Sequence, residues 1–400
     1  ENISKFSPEF LKNLPNLSDE EIAYQVMKDF AGDEIPEAEL RKIVAETIAF
    51  EIPLKKITEN ISVLELFHGP TLAFKDVGAR FMSRCLGYFL KNETRKVTVL
   101  VATSGDTGGA VANGFYDVEG IEVVILYPKN RVSPVQEKQL TALGKNIHAL
   151  EVNGSFDDCQ ALVKQAFSDE SLTEKLLLTS ANSINVARWL PQQIYYVLAL
   201  KQWLKNNSEN PVICVPSGNF GNICAGILAH HRGLPVEHFI AACNVNDVVP
   251  EYLRTEILQP KETVATISNA MDVGDPSNFV RILELFDKEF NQVKNKLSGY
   301  TIDDEETLKT IERVEKDYGY VLDPHGAVAF VALEKYLAEK GGKGFFLETA
   351  HPVKFPDSVE KATGKSVEIP KSLEELMRQE KFTTEINPQY EELKGFLLGK

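Results

Sequence analysis

One lysine stands where its type and its surroundings could support covalent chemistry. Lys75 lies near the end of the stretch LFHGPTLAFKD at residues 66–76, in which Gly69-Pro70 signals a turn. Apolar residues at helical spacing follow it from Val77. This pattern predicts a helix that starts at Lys75. A cation there opposes the helix dipole, which favours the neutral amine that attacks a carbonyl group. The stretch therefore predicts a Schiff-base lysine, and it is equally typical of a surface lysine that leaves a loop.

Two glycine-rich loops could bind anions. One is TSGDTGG at residues 103–109, the other is SGNFGN at residues 217–222, and each follows an apolar run and opens a predicted helix. Glycines let the backbone approach a ligand closely, and the free N–H groups of a helix start favour an anion. Neither loop fits the pattern of a P-loop or of a dinucleotide site. Taken alone, each could also be an ordinary strand-to-helix connection.

A third polar group, SANSINVAR at residues 180–188, contains Asn182, Ser183 and Arg188. An arginine with such neighbours can clamp a phosphate or a carboxylate, although an exposed arginine beside capping residues fits the same letters. Thr349 follows an apolar run and stands where a strand end could meet a site. The chain has no HExxH, no GxSxG and no cysteine-histidine metal spacing, so we expect no metal site.

Composition narrows the class of protein. A chain of 400 residues predicts two or three domains, and a net charge of -15 argues against nucleic-acid binding. The 5 cysteines form no CxxC pair, which predicts reduced thiols and a cytoplasmic location. No apolar run is long enough for a membrane span. Because the chain opens on Glu1, we expect a clipped start.

The order of elements predicts an α/β protein with parallel sheets. Capping signals at Ser7-Pro8 and at Ser18 with Glu21 predict a helical lead-in, and apolar strand runs alternate with helical patterns from Val97 onward. We expect two α/β lobes with ligands at the carboxyl ends of the strands. The predicted domains are listed by residue number: an N-terminal helical segment, 1–55; a large domain, 56–94 and 179–400; a small mobile domain, 95–178.

Five motifs together resemble the threonine synthase family. They are HGPTLAFKD at 68–76, ATSGDTGGA at 102–110, SANSIN at 180–185, PSGNFGN at 216–222 and ETAHPVKF at 348–355, in order along nearly the whole chain. The resemblance implies the fold type II of pyridoxal-phosphate enzymes, similar to the tryptophan synthase β subunit, with a small helical N-terminal segment. It is closest to the longer microbial and fungal members, which begin about two dozen residues earlier.

The resemblance also implies a role for each motif. Lys75 resembles the lysine that binds pyridoxal phosphate covalently, and Thr349 the hydroxyl that contacts the pyridine nitrogen. The implied sets are, for the cofactor, Lys75, Asp106, Ser217, Gly218, Asn219, Phe220, Gly221, Asn222 and Thr349, and for the substrate, Thr103, Ser104, Gly105, Asp106, Thr107, Asn182, Ser183 and Arg188. Asp106 departs from the asparagine of many relatives, and its carboxylate would repel an anion unless it were protonated or turned away.

The implied activity is the conversion of O-phospho-L-homoserine and water to L-threonine and inorganic phosphate, a lyase reaction of threonine biosynthesis. Lys75 would move the protons and Arg188 would help the phosphate leave. The alternatives are a serine or threonine dehydratase or β-replacement enzyme of the same fold, and a non-catalytic binder of a phosphorylated metabolite. Only the phosphorylated substrate needs Arg188 with Asn182 and Ser183. We expect a monomer or homodimer that binds neither nucleic acid nor membrane.

Overall fold

The computed structural model describes residues 3–93 and 95–399. Its strands are β1 (Leu54–Lys56), β2 (Ile61–Glu65), β3 (Val97–Ala102), β4 (Ile121–Pro128), β5 (Ile147–Val152), β6 (Leu177–Ser180), β7 (Val212–Pro216), β8 (His238–Cys243), β9 (Leu297–Thr301), β10 (Gly344–Glu348) and β11 (Thr384–Ile386). Short 3-10 turns lie at Leu14–Asn16, Leu90–Asn92, Leu190–Gln192, Asn269–Met271 and Pro352–Lys354.

Helices connect and cover these strands. They are α1 (Pro8–Asn13), α2 (Asp19–Ala31), α3 (Glu37–Thr47), α4 (Lys75–Phe89), α5 (Asp106–Phe115), α6 (Pro134–Thr141), α7 (Phe156–Ser168), α8 (Glu170–Thr173), α9 (Val186–Trp189), α10 (Gln193–Trp203), α11 (Gly221–His231), α12 (Val248–Thr255), α13 (Phe279–Leu285), α14 (Phe290–Lys296), α15 (Asp304–Tyr318), α16 (Pro324–Lys340), α17 (Pro356–Thr363), α18 (Lys371–Arg378) and α19 (Tyr390–Leu397). Within the described residues, none of them combines the length and the apolar character needed to cross a membrane.

The first compact unit, residues 3–74 and 189–367, contains a six-stranded sheet in the order β1-β2-β10-β7-β8-β9. All neighbours are parallel except β1, which pairs antiparallel with β2. The central strands are fully buried because α16 covers them with a long apolar face, of which Phe330 packs edge-on against Phe346 at 5.6 Å. Parallel strands place their carboxyl ends, and the loops that follow them, at one edge of the sheet.

The helical lead-in of this unit forms as predicted. Ser7 Oγ accepts the N–H of Phe10 at 3.1 Å, and Ser18 Oγ accepts the N–H of Glu21 at 3.1 Å. Glu21 does not complete a capping box, because its carboxylate binds Gln25 and Arg41 instead. Only half of that predicted motif is therefore confirmed.

The second compact unit, residues 75–188 and 368–399, contains a parallel five-stranded sheet in the order β11-β5-β4-β3-β6. Its core lies on both faces of β3 and β4, between α4, α5 and α6 on one side and α7 and α19 on the other. Ser155 and Asp158 cap α7 through both hydrogen bonds of a capping box.

The two compact units divide the chain at other residues than the predicted domains, which remain a prediction. Residues 75–93 group with the second unit, because α4 packs on α5. Residues 368–399 also join the second unit, since β11 extends its sheet by pairing with β5. Leu373, Ile386 and Leu393 of this C-terminal segment are buried.

Candidate active site

Lys75 is the first residue of α4, as the sequence predicts. Its helix approaches the chain at Arg188 so closely that a Cβ at Gly78 would lie 2.1 Å from the Arg188 carbonyl oxygen. Only glycine fits there. On another face, Gly114 of α5 allows a similar approach, because a Cβ there would lie 3.1 Å from the Ala79 backbone. These contacts within the second unit bring Lys75 together with the Thr103–Thr107 loop and the segment before Arg188.

Asp106 faces Lys75. One carboxylate oxygen, Oδ2, lies 3.7 Å from Lys75 Nζ, and the other, Oδ1, accepts a hydrogen bond from Gln136 Nε2 at 2.9 Å. Both side chains are largely withdrawn from water, with 17% of Lys75 and 5% of Asp106 exposed. The carboxylate that replaces the asparagine of many relatives therefore faces the lysine ammonium group, which favours its charged form.

The loop from Thr103 to Thr107 is shaped by the Thr103 hydroxyl. Its oxygen accepts the N–H of Gly105 at 3.0 Å and the N–H of Gly108 at 2.8 Å. Gly105 adopts φ of 137°, which L-residues with a side chain rarely reach. The first N–H groups of an α-helix, here α5, point out of its N-terminal end. Thr103 therefore supports the loop, while the helix start offers donors to an anion.

The segment from Ser180 to Arg188 follows β6, which neighbours β3. Asn182 Nδ2 donates to the Ala102 carbonyl at 2.9 Å, which ties this segment to the end of β3. Asn185 Nδ2 donates to the Ser180 carbonyl at 3.0 Å and its Oδ1 accepts the N–H of Ala187, so Asn185 starts α9. Ser183 is half-buried on this segment.

Arg188 is buried, with 3% of its surface exposed. Its Nη1 donates to the Ala181 carbonyl, and burial lowers the pKa of its guanidinium to about 10 while the charge of Asp76 opposes that shift. The guanidinium thus keeps its charge at neutral pH. Arg188 is not the exposed residue that its sequence neighbours also fit.

In the first unit, the loop Ser217–Asn222 follows β7 and opens α11. A Cβ at Gly218 would lie 2.6 Å from Met271 Cα, so the loop backbone lies directly against its neighbour. Asn219 Oδ1 accepts both the N–H and the hydroxyl of Ser277, at 2.7 and 2.8 Å. Phe220 adopts a left-handed conformation, φ 62°, immediately before the helix starts at Gly221. These contacts fix the loop, which contains no cationic side chain, and the N–H groups of the helix start are the donors that it offers to an anion.

Two side chains of this loop have defined partners. The Ser217 hydroxyl donates to the Val215 carbonyl at 2.9 Å, so only its oxygen lone pairs remain for other partners. Asn222 Oδ1 accepts the hydroxyls of Tyr195 and Tyr196 at 2.6 and 2.7 Å. Its buried Nδ2 has no hydrogen-bond partner among the described residues. A buried donor without a partner at a helix start is consistent with an anion site.

Thr349 follows β10 and is buried. Since Phe346 of β10 pairs with Cys214 of β7, Thr349 and the Ser217–Asn222 loop lie at the same edge of the sheet. The Thr349 carbonyl accepts the N–H of Phe74 at 2.9 Å, and Ala73 bridges Ala350 antiparallel. The residue that directly precedes Lys75 is therefore hydrogen-bonded to Thr349.

A buried carboxyl network lies beside Thr349. Glu348 Oε1 accepts the N–H of Asp323 at 2.7 Å, and burial together with the charges of Asp323 and Glu65 raises the pKa of Glu348 well above its usual value. His325 Nδ1 lies 2.6 Å from Asp323 Oδ1 and its Nε2 accepts the N–H of Ala270 at 3.2 Å. The His325 ring thus connects Asp323 to the backbone at Ala270, which is a structural role.

Glu65 differs from its neighbour Glu348 in its partners. Its carboxylate accepts hydrogen bonds from Lys55, His68 and Tyr320 at 2.8, 2.6 and 2.9 Å. Burial acts to raise the pKa of Glu65, but these partners outweigh it and hold the pKa below its usual range. The pKa values of two glutamates in register on adjacent parallel strands are therefore shifted in opposite directions.

The predicted site residues fall into one group in each unit. The second unit holds Lys75, the Thr103–Thr107 loop and Asn182 to Arg188, and the first unit holds the Ser217–Asn222 loop and Thr349. Sequence reasoning missed Gln136, although the letters SPVQ at 133–136 carry a visible capping signal. It also missed Glu348 and Asp323, because a buried carboxyl pair has no sequence pattern. Within the described residues, no cluster of side chains could hold a metal ion.

Comparison with known proteins identifies the family. A family model described as pyridoxal-phosphate dependent enzyme matches residues 49–344, and models of the threonine synthase N terminus and C-terminal part match residues 1–48 and 326–397. Threonine synthase of Serratia marcescens is 47% identical over 375 residues, which cover 94% of this chain and 86% of that protein.

Solved structures of threonine synthases resemble this chain over nearly its whole length. The crystal structure of threonine synthase from Escherichia coli matches with a TM-score of 0.92 at 44% identity, over 100% of this chain and 92% of that one. A pyridoxal-phosphate-bound threonine synthase from Brucella melitensis matches with a TM-score of 0.92 at 35% identity, over 99% of this chain and 92% of that one. The predicted fold type II architecture is confirmed.

The residues present fit pyridoxal phosphate, the cofactor of this family. The loop pressed against Met271 and the unpartnered Asn222 Nδ2 suit a phosphate, and Lys75 suits an aldehyde. The chain belongs to the threonine synthase family of pyridoxal-phosphate dependent enzymes.

Proposed function

We propose that this enzyme converts O-phospho-L-homoserine and water to L-threonine and inorganic phosphate. The observation that carries the substrate is Arg188, a charged and buried guanidinium in the same unit as Lys75. Burying a cation is unfavourable unless an anion accompanies it, and Asp76 is the buried acidic group whose charge acts on it. A substrate phosphate would add the second negative charge, whereas an uncharged hydroxy amino acid would not.

In this proposal the cofactor is held by three elements. Lys75 binds its aldehyde covalently, the N–H groups of the Ser217–Asn222 loop bind its phosphate, and the Thr349 hydroxyl contacts its ring nitrogen. The hydrogen bond from the Phe74 N–H to the Thr349 carbonyl supports the proposal, because Phe74 directly precedes Lys75 in the chain. When bound, pyridoxal phosphate supplies the electron sink that stabilises a carbanion at the substrate Cα.

The substrate is held by the second unit. Ser104 and the N–H groups at the start of α5, including that of Thr107, bind its carboxylate, and Gly105 shapes this loop because its N–H is bonded to Thr103. Asn182, Ser183 and Arg188 bind its phosphate. Both assignments rest on charge and donor geometry, since a helix start and a guanidinium each prefer an anion. Asn182 contributes by holding the segment against Ala102, in addition to any donor it presents.

Lys75 moves the protons. Its amine, once released from the cofactor, takes a proton from Cα and then one from Cβ, while the phosphate leaves Cγ with the bonding electrons. Arg188 stabilises the charge that develops on the leaving phosphate. One proton is then returned to Cγ and one to Cα, while water adds its hydroxyl to Cβ and its remaining proton goes to the released phosphate. One water is therefore consumed and one phosphate is released per threonine.

We also propose a cytoplasmic location. Among the described residues all five cysteines are free thiols, four of them buried, which is typical of proteins in reducing compartments.

The experiment is a paired product assay. The holoenzyme receives O-phospho-L-homoserine, L-serine or L-threonine, and threonine, phosphate and 2-oxo acids are measured together. Equal release of threonine and phosphate is the expected result, and Arg188→Lys should raise KM for the phosphorylated substrate at least tenfold because a lysine cannot bind bidentately. Consumption of serine or threonine alone, with 2-oxo acid and ammonia as products, would overturn the proposal in favour of a dehydratase.

A further inference from the structure

A capping glutamine of α6 contacts the site residue Asp106. Gln136 is buried, with 3% of its surface exposed, and its Nε2 donates to Asp106 Oδ1 at 2.9 Å. The orientation of the amide is fixed by chemistry, because Gln136 Oε1 accepts the backbone N–H of Ser133 at 3.1 Å. A rotated amide would set two donors against each other at Ser133 and two acceptors against each other at Asp106.

The loop around Asp106 is built against this amide. A Cβ at Gly105 would lie 2.5 Å from Gln136 Cδ, and Gly105 itself adopts φ of 137°. No residue with a side chain could occupy that position without moving the loop. Because Gln136 holds Oδ1, the remaining oxygen Oδ2 is directed to Lys75 Nζ at 3.7 Å.

We propose that Gln136 is a positioning residue for this enzyme, which holds the Asp106 carboxylate facing the lysine nitrogen that carries the cofactor. The inference rests on the proposed function of Lys75. An anion at this distance favours the protonated form of that nitrogen, and a hydrogen bond to Asp106 favours its charged form. Asp76, which follows Lys75 on α4, is a further acidic side chain beside Lys75 in the chain, and its charge acts on Arg188.

The test uses the visible absorption of the full-length holoenzyme. The colour of a lysine-bound pyridoxal phosphate depends on whether the linking nitrogen is protonated, so a pH titration of the spectrum reports that nitrogen directly. Gln136→Met removes the donor to Asp106 with little change in size. Ser133→Ala is the matched control, since it removes the other capping-box hydrogen bond, 3.4 Å from the Gln136 N–H to Ser133 Oγ, and leaves Asp106 untouched.

We expect Gln136→Met to move the titration midpoint to lower pH by about one unit, because an opposite charge within about 4–6 Å shifts a midpoint by roughly 1–3 units and only part of that effect is lost. Asp106→Asn should move it further in the same direction, and Ser133→Ala should leave it at the wild-type value. A wild-type midpoint in Gln136→Met, or an equal shift in Ser133→Ala, would overturn the proposal.

A Lys75→Ala protein distinguishes failure of the underlying function. If its holoprotein keeps the same absorption band and titration, Lys75 does not carry the cofactor and the role of Gln136 falls with it. If the band is lost and Gln136→Met still titrates as wild type, only the positioning role is overturned.

Discussion

Replacing Glu348 by glutamine should stabilise the protein, although the side chain is fully buried and hydrogen-bonded. The raised pKa of Glu348 determines that its ionisation destabilises the folded protein. Below the usual glutamate pKa, about 4.3, the carboxyl is protonated in both folded and unfolded chains, so it has no effect. As the pH rises, only the unfolded chain ionises, and the free energy of unfolding falls by about 1.4 kcal/mol per pH unit until the folded pKa is reached.

Glutamine avoids this loss because it stays neutral. It keeps the oxygen that accepts the Asp323 N–H, and its new N–H lies beside an Asp323 oxygen that has no partner among the described residues. At pH 4 to 5 the substitution should therefore change the free energy of unfolding by less than about 1 kcal/mol. The advantage of glutamine should then grow with pH, by about 1.4 kcal/mol for each unit in which only the unfolded Glu348 is ionised.

Glu65→Gln is the matched control. Glu65 lies in register beside Glu348 but is held charged, so its lowered pKa contributes stability above pH 4.5 that is lost as the pH falls. Its replacement should destabilise the protein at neutral pH by about 1–3 kcal/mol. Thermal unfolding of wild type and both variants, followed by circular dichroism from pH 4.5 to 8, measures the two trends. If Glu348→Gln loses stability at neutral pH as Glu65→Gln does, the pKa of Glu348 is not raised in the folded protein.

Two further predictions concern the loops. Gly218→Ala should raise the apparent Kd for pyridoxal phosphate at least tenfold in a fluorescence titration, because its Cβ would lie 2.6 Å from Met271 Cα. Gly221→Ala should change this Kd far less, because its Cβ would lie 3.5 Å from its nearest neighbour. Equal effects of the two substitutions would contradict the loop geometry. Thr103→Val should lower kcat/KM at least tenfold, since it leaves the N–H groups of Gly105 and Gly108 without their acceptor, whereas Thr103→Ser should keep most of the activity.

The sequence predicted the elements whose signals are local. The alternation of apolar runs and helical patterns from Val97 onward predicted the parallel sheets, and the turn at Gly69-Pro70 placed Lys75 at a helix start. It did not find β11, because a three-residue strand among charged residues has no period of its own and exists through its pairing with β5. That pairing also moved the C-terminal tail to the other unit.

The site was predictable in its residue types and less so in its charges. The sequence did not predict the orientation of the Asp106 carboxylate. In the structure this orientation is set by a hydrogen bond from Gln136, 30 positions away in sequence. The different charge states of Glu65 and Glu348 follow from Lys55, Tyr320 and Asp323, which lie far apart along the chain. Such effects arise from packing, so they have no signature in spacing or composition.

Reductive trapping of the cofactor tests the central role of Lys75 most directly. The holoenzyme is reduced with borohydride, digested, and mapped by mass spectrometry, so that any lysine joined to pyridoxal phosphate carries a stable label. The account predicts a label on Lys75, in the peptide that contains Phe74 and Lys75, and its loss in Lys75→Ala. A label on a different lysine of the wild-type enzyme would contradict it.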